Sequence, residues 1–302
     1  MFNISALCTK LKELNIPYCE SVPMSGYTTM KVGGIASVVA AVRSTEQLVT
    51  AVREAKAHQV RFAVIGNGSN VIFADDGFDG LVIVTSDIKN HLVEGNTIKA
   101  DCGASLTGLA VEAQRAGLSG LEFAYGIPGT LGGGIYMNAG AYGGSLSDVV
   151  ISSICFDTEN ETVRKVDMEE HEFSYRHSIY TKNPNLIILA AMLKLTEDDP
   201  IEIAAIMSQN RKARKEKQPL EFPSAGSVFK RPVGYYAGEL IEKSGLKGYR
   251  IGGAEVSEKH AGFIINRGGA TANDVMQLVE HIRHTVYRNY QVDLDCEIKF
   301  IR

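Results

Sequence analysis

Glycine clusters constrain the fold of this chain more than any other feature of its sequence. Seven of the eighteen residues from Gly126 to Gly143 are glycine. The same run contains Ile127, Leu131 and Tyr136, side chains that a flexible linker does not need. The run therefore favours a backbone wrapped closely on a large flat ligand over a low-complexity linker.

A second glycine-rich segment, Gly66-Asn67-Gly68-Ser69-Asn70, directly follows a strand predicted over residues 61–65. Its glycines permit a tight turn with exposed backbone N–H groups, and its Ser and Asn side chains add donors that suit a diphosphate. The segment matches neither the P-loop pattern nor the G-x-G-x-x-G pattern of a Rossmann fold. Alone it is equally typical of a hairpin or bulge, but the two segments together predict a dinucleotide cofactor bound outside a Rossmann frame.

The composition is that of an ordinary globular protein. The 302 residues are 45% hydrophobic and 22% charged with a net charge of −4, which argues against disorder and against a nucleic-acid or anionic-membrane surface.

The N-terminus predicts a short amphipathic helix through Leu7, Leu11 and Leu14, and no run reaches the ~18 apolar residues of a membrane span. Five dispersed cysteines indicate reduced thiols in a cytoplasmic protein. No metal site is predicted, since His281 and His284 have no acidic or Cys partner on their predicted helix face.

The chain is predicted to divide at Glu197-Asp198-Asp199-Pro200, where Asp199 suits a helix N-cap and Pro200 a first turn. Before this point, a capping box at Ser44-Thr45-Glu46-Gln47 predicts the first larger helix, and Gly117 ends the second. The remaining predicted helices are 106–116, 200–217, 235–244 and 273–289, and the remaining strands are 71–73, 149–156, 186–195 and 292–300.

Four motifs together resemble a flavin-binding domain of the vanillyl-alcohol-oxidase type. They are GNGSN after a strand, GIPGTLGG, MNAGAYG, and TTMKVGG at residues 28–34. More narrowly, nearly the whole chain resembles the UDP-N-acetylenolpyruvoylglucosamine reductase family. The resemblance implies an α+β fold with an FAD-binding domain over residues 1–198, made of two α+β subdomains split near residue 80. A small α+β substrate-binding domain over residues 199–302 follows.

Three polar residues gain a role from the resemblance. On sequence alone, the residues favour ordinary structural roles: a surface ion pair for Arg176, a turn-capping hydroxyl for Ser227 and a solvated strand face for Glu297. The family's Y-R, A-G-S-x-F-K and closing E-I-x-F-I motifs match these positions and imply a catalytic Arg176, a proton-donating Ser227 and a catalytic Glu297. The implied reaction is NADPH-dependent, FAD-mediated reduction of the enolpyruvyl ether of UDP-N-acetylglucosamine enolpyruvate to UDP-N-acetylmuramate, a step of peptidoglycan precursor synthesis.

The resemblance also implies the ligand contacts. FAD is expected to be non-covalent, because neither glycine-rich segment contains His or Cys, and NADPH is the expected co-substrate. The predicted FAD contacts are Gly66, Asn67, Gly68, Ser69, Asn70, Gly126, Ile127, Pro128, Gly129, Thr130, Gly132, Gly133, Asn138, Ala139, Gly140 and Arg214. The predicted substrate contacts are Tyr175, Lys217 and Lys230. The expected partner is a UDP-sugar, with no nucleic acid and no membrane insertion, and the protein is expected to be a cytoplasmic monomer.

Other interpretations remain compatible with the residues. Arg176 and Ser227 are 51 positions apart, which resembles family members without an extra tyrosine-bearing lid. Arg231 stands where some relatives have Asn, so its contact with substrate is not predicted. A flavin oxidase of the same superfamily is one alternative function. A non-catalytic nucleotide sensor built on the same loops is the other.

Overall fold

The protein, described by a computed structural model over residues 3–302, forms two compact units. The first comprises the described residues up to Glu20 together with Val38–Asn67 and Gly80–Ala213. The second comprises Ser21–Ser37, Gly68–Asp79 and Arg214–Arg302. The second unit therefore combines two short N-terminal segments with the C-terminal part of the chain.

Both units contain helices and strands. The α-helices within residues 3–302 are α1 (Ile4–Glu13), α2 (Thr45–Ala57), α3 (Leu106–Arg115), α4 (Leu131–Tyr136), α5 (Ile179–Lys182), α6 (Pro200–Lys217), α7 (Ala237–Lys243) and α8 (Ala272–Tyr290). The strands are β1 (Tyr18–Pro23), β2 (Ile35–Ala41), β3 (Phe62–Ile65), β4 (Val71–Phe73), β5 (Phe78–Val84), β6 (His91–Glu94), β7 (Thr97–Asp101), β8 (Leu118–Ser119), β9 (Gly140–Ala141), β10 (Gly144–Ser145), β11 (Val150–Asp157), β12 (Thr162–Asp167), β13 (Leu186–Lys194), β14 (Thr196–Glu197), β15 (Ser224–Ser227), β16 (Arg250–Ile251), β17 (Ala254–Val256), β18 (Phe263–Asn266) and β19 (Lys299–Ile301).

Most sheets are antiparallel. The first unit contains a five-stranded antiparallel sheet in the order β12-β11-β13-β7-β6, and a four-stranded sheet has the order β1-β2-β5-β3 with β3 parallel to β5. The second unit contains the antiparallel sheet β15-β18-β17-β16, and β19 pairs in parallel with β4. Helices combined with mainly antiparallel sheets confirm the predicted α+β class.

Each unit has its own apolar core. The predicted apolar face of α2 is buried in the first unit, where Leu48, Val52 and Ala55 are fully covered. In the second unit, α8 buries the helically spaced side chains that predicted it, including Leu278 and Ile282. Burial of such a stripe supplies most of the stability of an amphipathic helix.

The N-terminal caps of α6 and α2 were predicted from the sequence, and that of α8 was not. Asp199 Oδ1 accepts a hydrogen bond from the N–H of Ile201 at 2.8 Å, which confirms the predicted start of α6. Ser44 caps α2 as predicted, but the capping box is incomplete because Gln47 accepts from the N–H of Arg43 instead of that of Ser44. A cap that the sequence did not predict starts α8. The carboxylate of Asp75 accepts hydrogen bonds from the N–H groups of Ala272 and Asn273, the first two residues of α8, each at 2.8 Å.

Part of the glycine-rich run from Gly126 to Gly143 is a helix and not a loop, which corrects the sequence prediction. A Cβ on Gly132 would lie 3.0 Å from Cβ of Cys102, and a Cβ on Gly134 would lie 2.7 Å from Cδ1 of Leu146. Close packing of α4 on these side chains therefore requires glycine, although glycine is a poor helix former.

A buried polar network includes Ser153 of β11, His171 and Tyr180. The side chain of Ser153 lies 2.7 Å from Nε2 of His171 and 2.6 Å from the Tyr180 hydroxyl, and Nδ1 of His171 lies 2.9 Å from the carbonyl oxygen of Asp167. Because a carbonyl only accepts, Nδ1 carries the proton and Nε2 is the acceptor. Burial lowers the pKa of His171, since the charged imidazolium loses its hydration.

His171 is therefore expected to make stability depend on pH. Its pKa in the unfolded chain is about 6.5, so below that pH the unfolded state binds the proton first and the free energy of unfolding falls. Urea titrations at pH 7.5 and pH 5.5 should show a smaller loss of stability on acidification for His171→Gln than for the unmodified protein. His284→Gln, on the exposed side of α8, is the control and should behave as the unmodified protein does. Equal pH dependence in both variants would contradict this role of His171.

Candidate functional site

The two glycine-rich segments contact each other in the first unit. Nδ2 of Asn67 donates a hydrogen bond to the carbonyl oxygen of Pro128 at 2.9 Å. A Cβ on Gly66 would lie 2.2 Å from Oγ1 of Thr130, closer than any side chain tolerates. The lack of a side chain at Gly66 therefore lets Thr130 pack against this turn, and contact of the Gly66 backbone with FAD stays a prediction.

Backbone donors differ between the two segments. The N–H groups of Asn67, Gly68 and Ser69 donate to no acceptor within residues 3–302. In the second segment, by contrast, the N–H groups of the following residues all donate to protein acceptors: Gly126, Ile127, Leu131, Gly132, Gly133 and Gly134. Successive unpaired N–H groups in a turn form an anion-binding concavity, so the donor set of residues 67–69 fits a phosphate group.

Arg176 lies at the corner of a tight turn in the first unit. Backbone hydrogen bonds between Ser174 and His177, at 3.2 and 3.1 Å, close the turn. Arg176 has φ +54°, a left-handed conformation that costs about 1–2 kcal/mol for a residue with a Cβ. Its guanidinium donates to the carbonyl oxygens of Asn138 and Gly140, at 3.5 and 3.3 Å. These contacts orient a permanent cation, and the exposed ring of Tyr175 lies 5.0 Å from it.

Asn138 braces this turn. The side chain is buried, and its Nδ2 donates to Oγ of Ser147 at 3.3 Å and to the carbonyl oxygen of Ser174 at 3.0 Å. Its Oδ1 accepts from the N–H of Ser147 at 3.0 Å. The sequence predicted Asn138 as an FAD contact and missed this bracing role, because the Asn138–Ser174 pair leaves no local pattern.

Ser227 follows a bulge in the second unit. β15 pairs with β18 through Ser224 opposite Ile265 and Ser227 opposite Phe263, with a register shift between the two pairs. Gly226 takes φ +79° within the shift, the left-handed conformation that such a bulge requires. The glycine of the A-G-S motif thereby permits the bulge that precedes the pairing of Ser227 with Phe263.

Glu297 lies beside Val228, the residue that follows Ser227. The N–H of Glu297 donates to the carbonyl oxygen of Val228 at 2.7 Å. Nδ2 of Asn70 donates to the carbonyl oxygen of Glu297 at 3.2 Å, and the carbonyl oxygen of Asn70 accepts from the N–H of Lys299 at 3.0 Å. Residues of three separate motifs, namely Asn70, Ser227 and Glu297, are therefore brought together in the second unit.

The TTMKVGG motif supports the same region. The N–H of Thr29 donates to the carbonyl oxygen of Gly68 at 3.1 Å, and its Oγ1 donates to that of Ser224 at 2.6 Å. A Cβ on Gly68 would lie 2.0 Å from the carbonyl oxygen of Tyr27. The motif therefore connects the first glycine-rich segment to β15.

The predicted cationic contacts of the second unit lie at two places. Arg214 and Lys217 occupy the last turn of α6, where Arg214 is buried and donates to Oε1 of Gln218 at 3.2 Å, while Lys217 is exposed. Lys230 is half-buried, and its N–H donates to the carbonyl oxygen of Asp295 at 2.8 Å. Lys230 thus lies on the segment that pairs with the residues before Glu297.

The sequence also missed a buried asparagine. Nδ2 of Asn266 donates to the carbonyl oxygen of Met30 at 3.1 Å, and its Oδ1 accepts from the N–H groups of Gly268 and Ala270. Asn266 is 8% exposed, so water has little access to its amide group, and these backbone groups satisfy the hydrogen-bonding atoms of that side chain. The sequence signal for this residue was its position shortly before Gly268 and Gly269, a pattern typical of a turn after a strand.

Residues 3–302 lack two features, a metal-binding cluster and a membrane-spanning helix. Within that range, no group of three or more His, Cys, Asp or Glu side chains is placed to hold a metal ion. Among the helices of the same residues, none combines the length and the apolar character that crossing a bilayer requires.

Comparison with known proteins decides the family. A family model described as the C-terminal domain of UDP-N-acetylenolpyruvoylglucosamine reductase matches residues 218–301, and one described as an FAD binding domain matches residues 36–167. A UDP-N-acetylenolpyruvoylglucosamine reductase of Lactobacillus helveticus is 44% identical, over 96% of this chain and 97% of that one. The chain belongs to the UDP-N-acetylenolpyruvoylglucosamine reductase family.

Other reductases of this family agree. The protein of that name from Caldanaerobacter subterraneus is 47% identical, over 92% of each chain. A crystal structure of the reductase from Thermus caldophilus is 35% identical with a TM-score of 0.81, and the match covers 95% of this chain and 99% of that one. The predicted family and the predicted fold, with its FAD-binding domain, are confirmed.

Proposed function

We propose that the protein is an NADPH-dependent, FAD-mediated reductase that converts the enolpyruvyl ether of UDP-N-acetylglucosamine enolpyruvate to UDP-N-acetylmuramate. Its similarity to reductases of this name over almost the full length of both chains carries the proposal. The unpaired N–H groups of Asn67, Gly68 and Ser69 support it, since they fit the diphosphate of FAD.

Both glycine-rich segments contribute to cofactor binding in this proposal. When bound, FAD supplies the hydride carrier between NADPH and the substrate alkene. The turn at residues 66–70 holds the diphosphate through its backbone. The proposed contacts of the second segment are Gly126, Ile127, Pro128, Gly129, Thr130, Gly132, Gly133, Asn138, Ala139 and Gly140, and Arg214 adds a cation.

Arg176 stabilises the negative charge that develops on the substrate. Hydride addition to the terminal alkene carbon leaves negative charge on the adjacent carbon, which spreads into the substrate carboxylate as an enolate. A guanidinium is always charged and presents a planar pair of donors that matches a carboxylate. Because Asn138 and Gly140 already hold the guanidinium, little reorganisation is needed as the charge appears.

Ser227 donates the proton that completes the reduction. A serine hydroxyl is a weak acid, so this role requires a positive neighbour, for which Lys230 and Lys217 are the proposed candidates. An ionised Glu297 alone would oppose the enolate, so it contributes as a protonated carboxyl or through a neighbouring group. Tyr175, Lys217 and Lys230 bind the UDP-sugar.

The remaining assignments are part of the same proposal. Residues 1–198, in two subdomains split near residue 80, provide the FAD-binding domain, and residues 199–302 provide the substrate-binding domain. The enzyme acts as a cytoplasmic monomer in the synthesis of cell-wall precursors.

The purified protein is expected to be yellow, with the flavin absorption bands of about one FAD per chain. Heating followed by filtration should release the colour into the filtrate, because the flavin is not covalently bound. NADPH oxidation, followed by the loss of its absorbance, should require the enolpyruvyl UDP-sugar.

Each alternative gives a different result. Colour retained in the acid-precipitated protein indicates a covalent flavin, as in many oxidases of the superfamily. A protein that binds the nucleotide without oxidising NADPH in the presence of the UDP-sugar is a sensor, and that result contradicts the proposed function.

A further inference from the structure

The last turn of α6 is held by a lysine from another part of the second unit. Nζ of Lys259 donates to the carbonyl oxygen of Lys215 at 2.8 Å. Carbonyl groups in the last turn of a helix have no N–H partner within the helix, so a donor from elsewhere can satisfy them. A cation at this end also interacts favourably with the helix dipole. Lys259 also pairs with Glu221, four residues beyond the helix, at 3.6 Å. Lys259 therefore contacts both the end of α6 and the segment that follows it.

The turn that carries Lys259 is itself rigid. Oγ of Ser257 accepts hydrogen bonds from the N–H groups of Lys259 and His260, at 3.2 and 3.3 Å. Ser257 is buried, and its own N–H donates to the carbonyl oxygen of Phe263 at 2.9 Å. Such a closed turn gives the Lys259 side chain a fixed starting point.

The same turn continues into the strand beside Ser227. Phe263 begins β18 and pairs with Ser227, and the N–H of Val228 donates to the carbonyl oxygen of Gly262 at 2.9 Å. An unbroken set of contacts thus runs from the end of α6, through Lys259 and its turn, to the strand that carries Ser227.

The end of α6 needs such a contact. Five of its last seven residues are cations: Arg211, Lys212, Arg214, Lys215 and Lys217. Like charges one turn apart on a helix repel each other and weaken the helix. A hydrogen bond from outside the helix keeps its last turn formed, and with it the direction of the side chains that the turn carries.

We propose that Lys259 is a positioning residue for the substrate, because it sets where the last turn of α6 presents Lys217 relative to Ser227. The inference rests on the proposed function, in which Lys217 binds the UDP-sugar. Lys259 acts through the backbone of Lys215 and makes no contact with substrate in this proposal.

The test compares two lysines of the second unit in the FAD-loaded enzyme. Lys259→Met is expected to raise the KM for the enolpyruvyl UDP-sugar about tenfold, since a misplaced binding group weakens substrate contacts. The rate of flavin reduction by NADPH should stay unchanged. Lys247→Met is the matched control, because Lys247 is 33% exposed against 34% for Lys259 and, within residues 3–302, forms its ion pair with Glu242 on the surface of the same unit. It should keep the KM of the unmodified enzyme.

Rescue and coupling separate positioning from other roles. Lys259→Arg retains a charged donor and should restore most of the substrate affinity, and Lys259→Gln, a milder change, replaces Lys259→Met if that variant does not fold. Lys217→Met should raise the KM by itself, and adding Lys259→Met to it should have little further effect.

Three outcomes count against the inference. An unchanged KM in Lys259→Met, or multiplicative effects in the double variant, overturns it while leaving the proposed function intact. Failure of the unmodified enzyme to reduce the UDP-sugar overturns the proposed function, and this inference with it.

Discussion

Replacing Ser227 with alanine is expected to slow oxidation of the reduced flavin by the enolpyruvyl UDP-sugar by about 10²–10⁴-fold, the range typical of a lost general acid. Reduction of the flavin by NADPH should stay fast, since that half-reaction needs no proton from Ser227. Stopped-flow absorbance at the flavin band measures the two half-reactions separately, with each substrate mixed alone against the appropriate form of the holoenzyme.

Ser224→Ala provides the control from the same strand. Within residues 3–302, the Ser224 hydroxyl makes no hydrogen bond, and the carbonyl oxygen that accepts from Thr29 is retained by alanine. Both half-reactions should therefore proceed at the rates of the unmodified enzyme. An equal rate of flavin oxidation by substrate in Ser227→Ala and Ser224→Ala would remove Ser227 from the mechanism.

The second large effect is expected for Gly68→Ala. Its Cβ would lie 2.0 Å from the carbonyl oxygen of Tyr27, and the residue has φ +61°, where any Cβ is strained. The turn must then move away from residues 27–29 and lose the hydrogen bond from Thr29. Overpacking costs about 1–3 kcal/mol and the left-handed backbone about 1–2 kcal/mol, so the free energy of unfolding should fall by about 2–5 kcal/mol. The variant should also be purified with little flavin.

Gly95→Ala separates the two contributions. Gly95 has φ +57°, almost the value of Gly68, but its Cβ would meet no atom within 4 Å. This variant should lose only the backbone contribution of about 1–2 kcal/mol and should keep its flavin. Urea unfolding and the ratio of flavin to protein absorbance measure both quantities. If Gly68→Ala matches Gly95→Ala in both, the close contact at Tyr27 has no role in flavin binding.

Elements with local signals were predictable from the sequence. α6 begins where Asp199 and Pro200 predict it, and α8 follows its apolar spacing, because caps and periodic stripes act within a few residues. α4 was not predicted, because its glycines oppose a helix and only contacts with distant side chains such as Cys102 favour it. The Asp75 cap on α8 was missed for the same reason, since nearly two hundred residues separate the two.

The candidate site was predictable only as separate motifs. Spacing and chemistry drew attention to the first glycine-rich segment, and the family resemblance drew attention to Ser227 and Glu297, but nothing in the sequence pattern places Asn70 beside the backbone of Glu297. Gly226 carried an unused signal, since an isolated glycine in a strand often marks a bulge. The contact of Gly66 with Thr130 has no local signal, because a glycine in the sequence does not reveal which residue approaches it.

The pairing of β4 with β19 has a consequence for biosynthesis. Val71 aligns with Lys299, so β4 is made more than two hundred residues before the strand that pairs with it. Until then, the apolar side chains of Ile72 and Phe73 lack the cover that the finished chain provides, and chaperones have time to bind them. A nascent chain released before Lys299 would therefore leave β4 without its partner strand, and quality-control proteases would be expected to remove it.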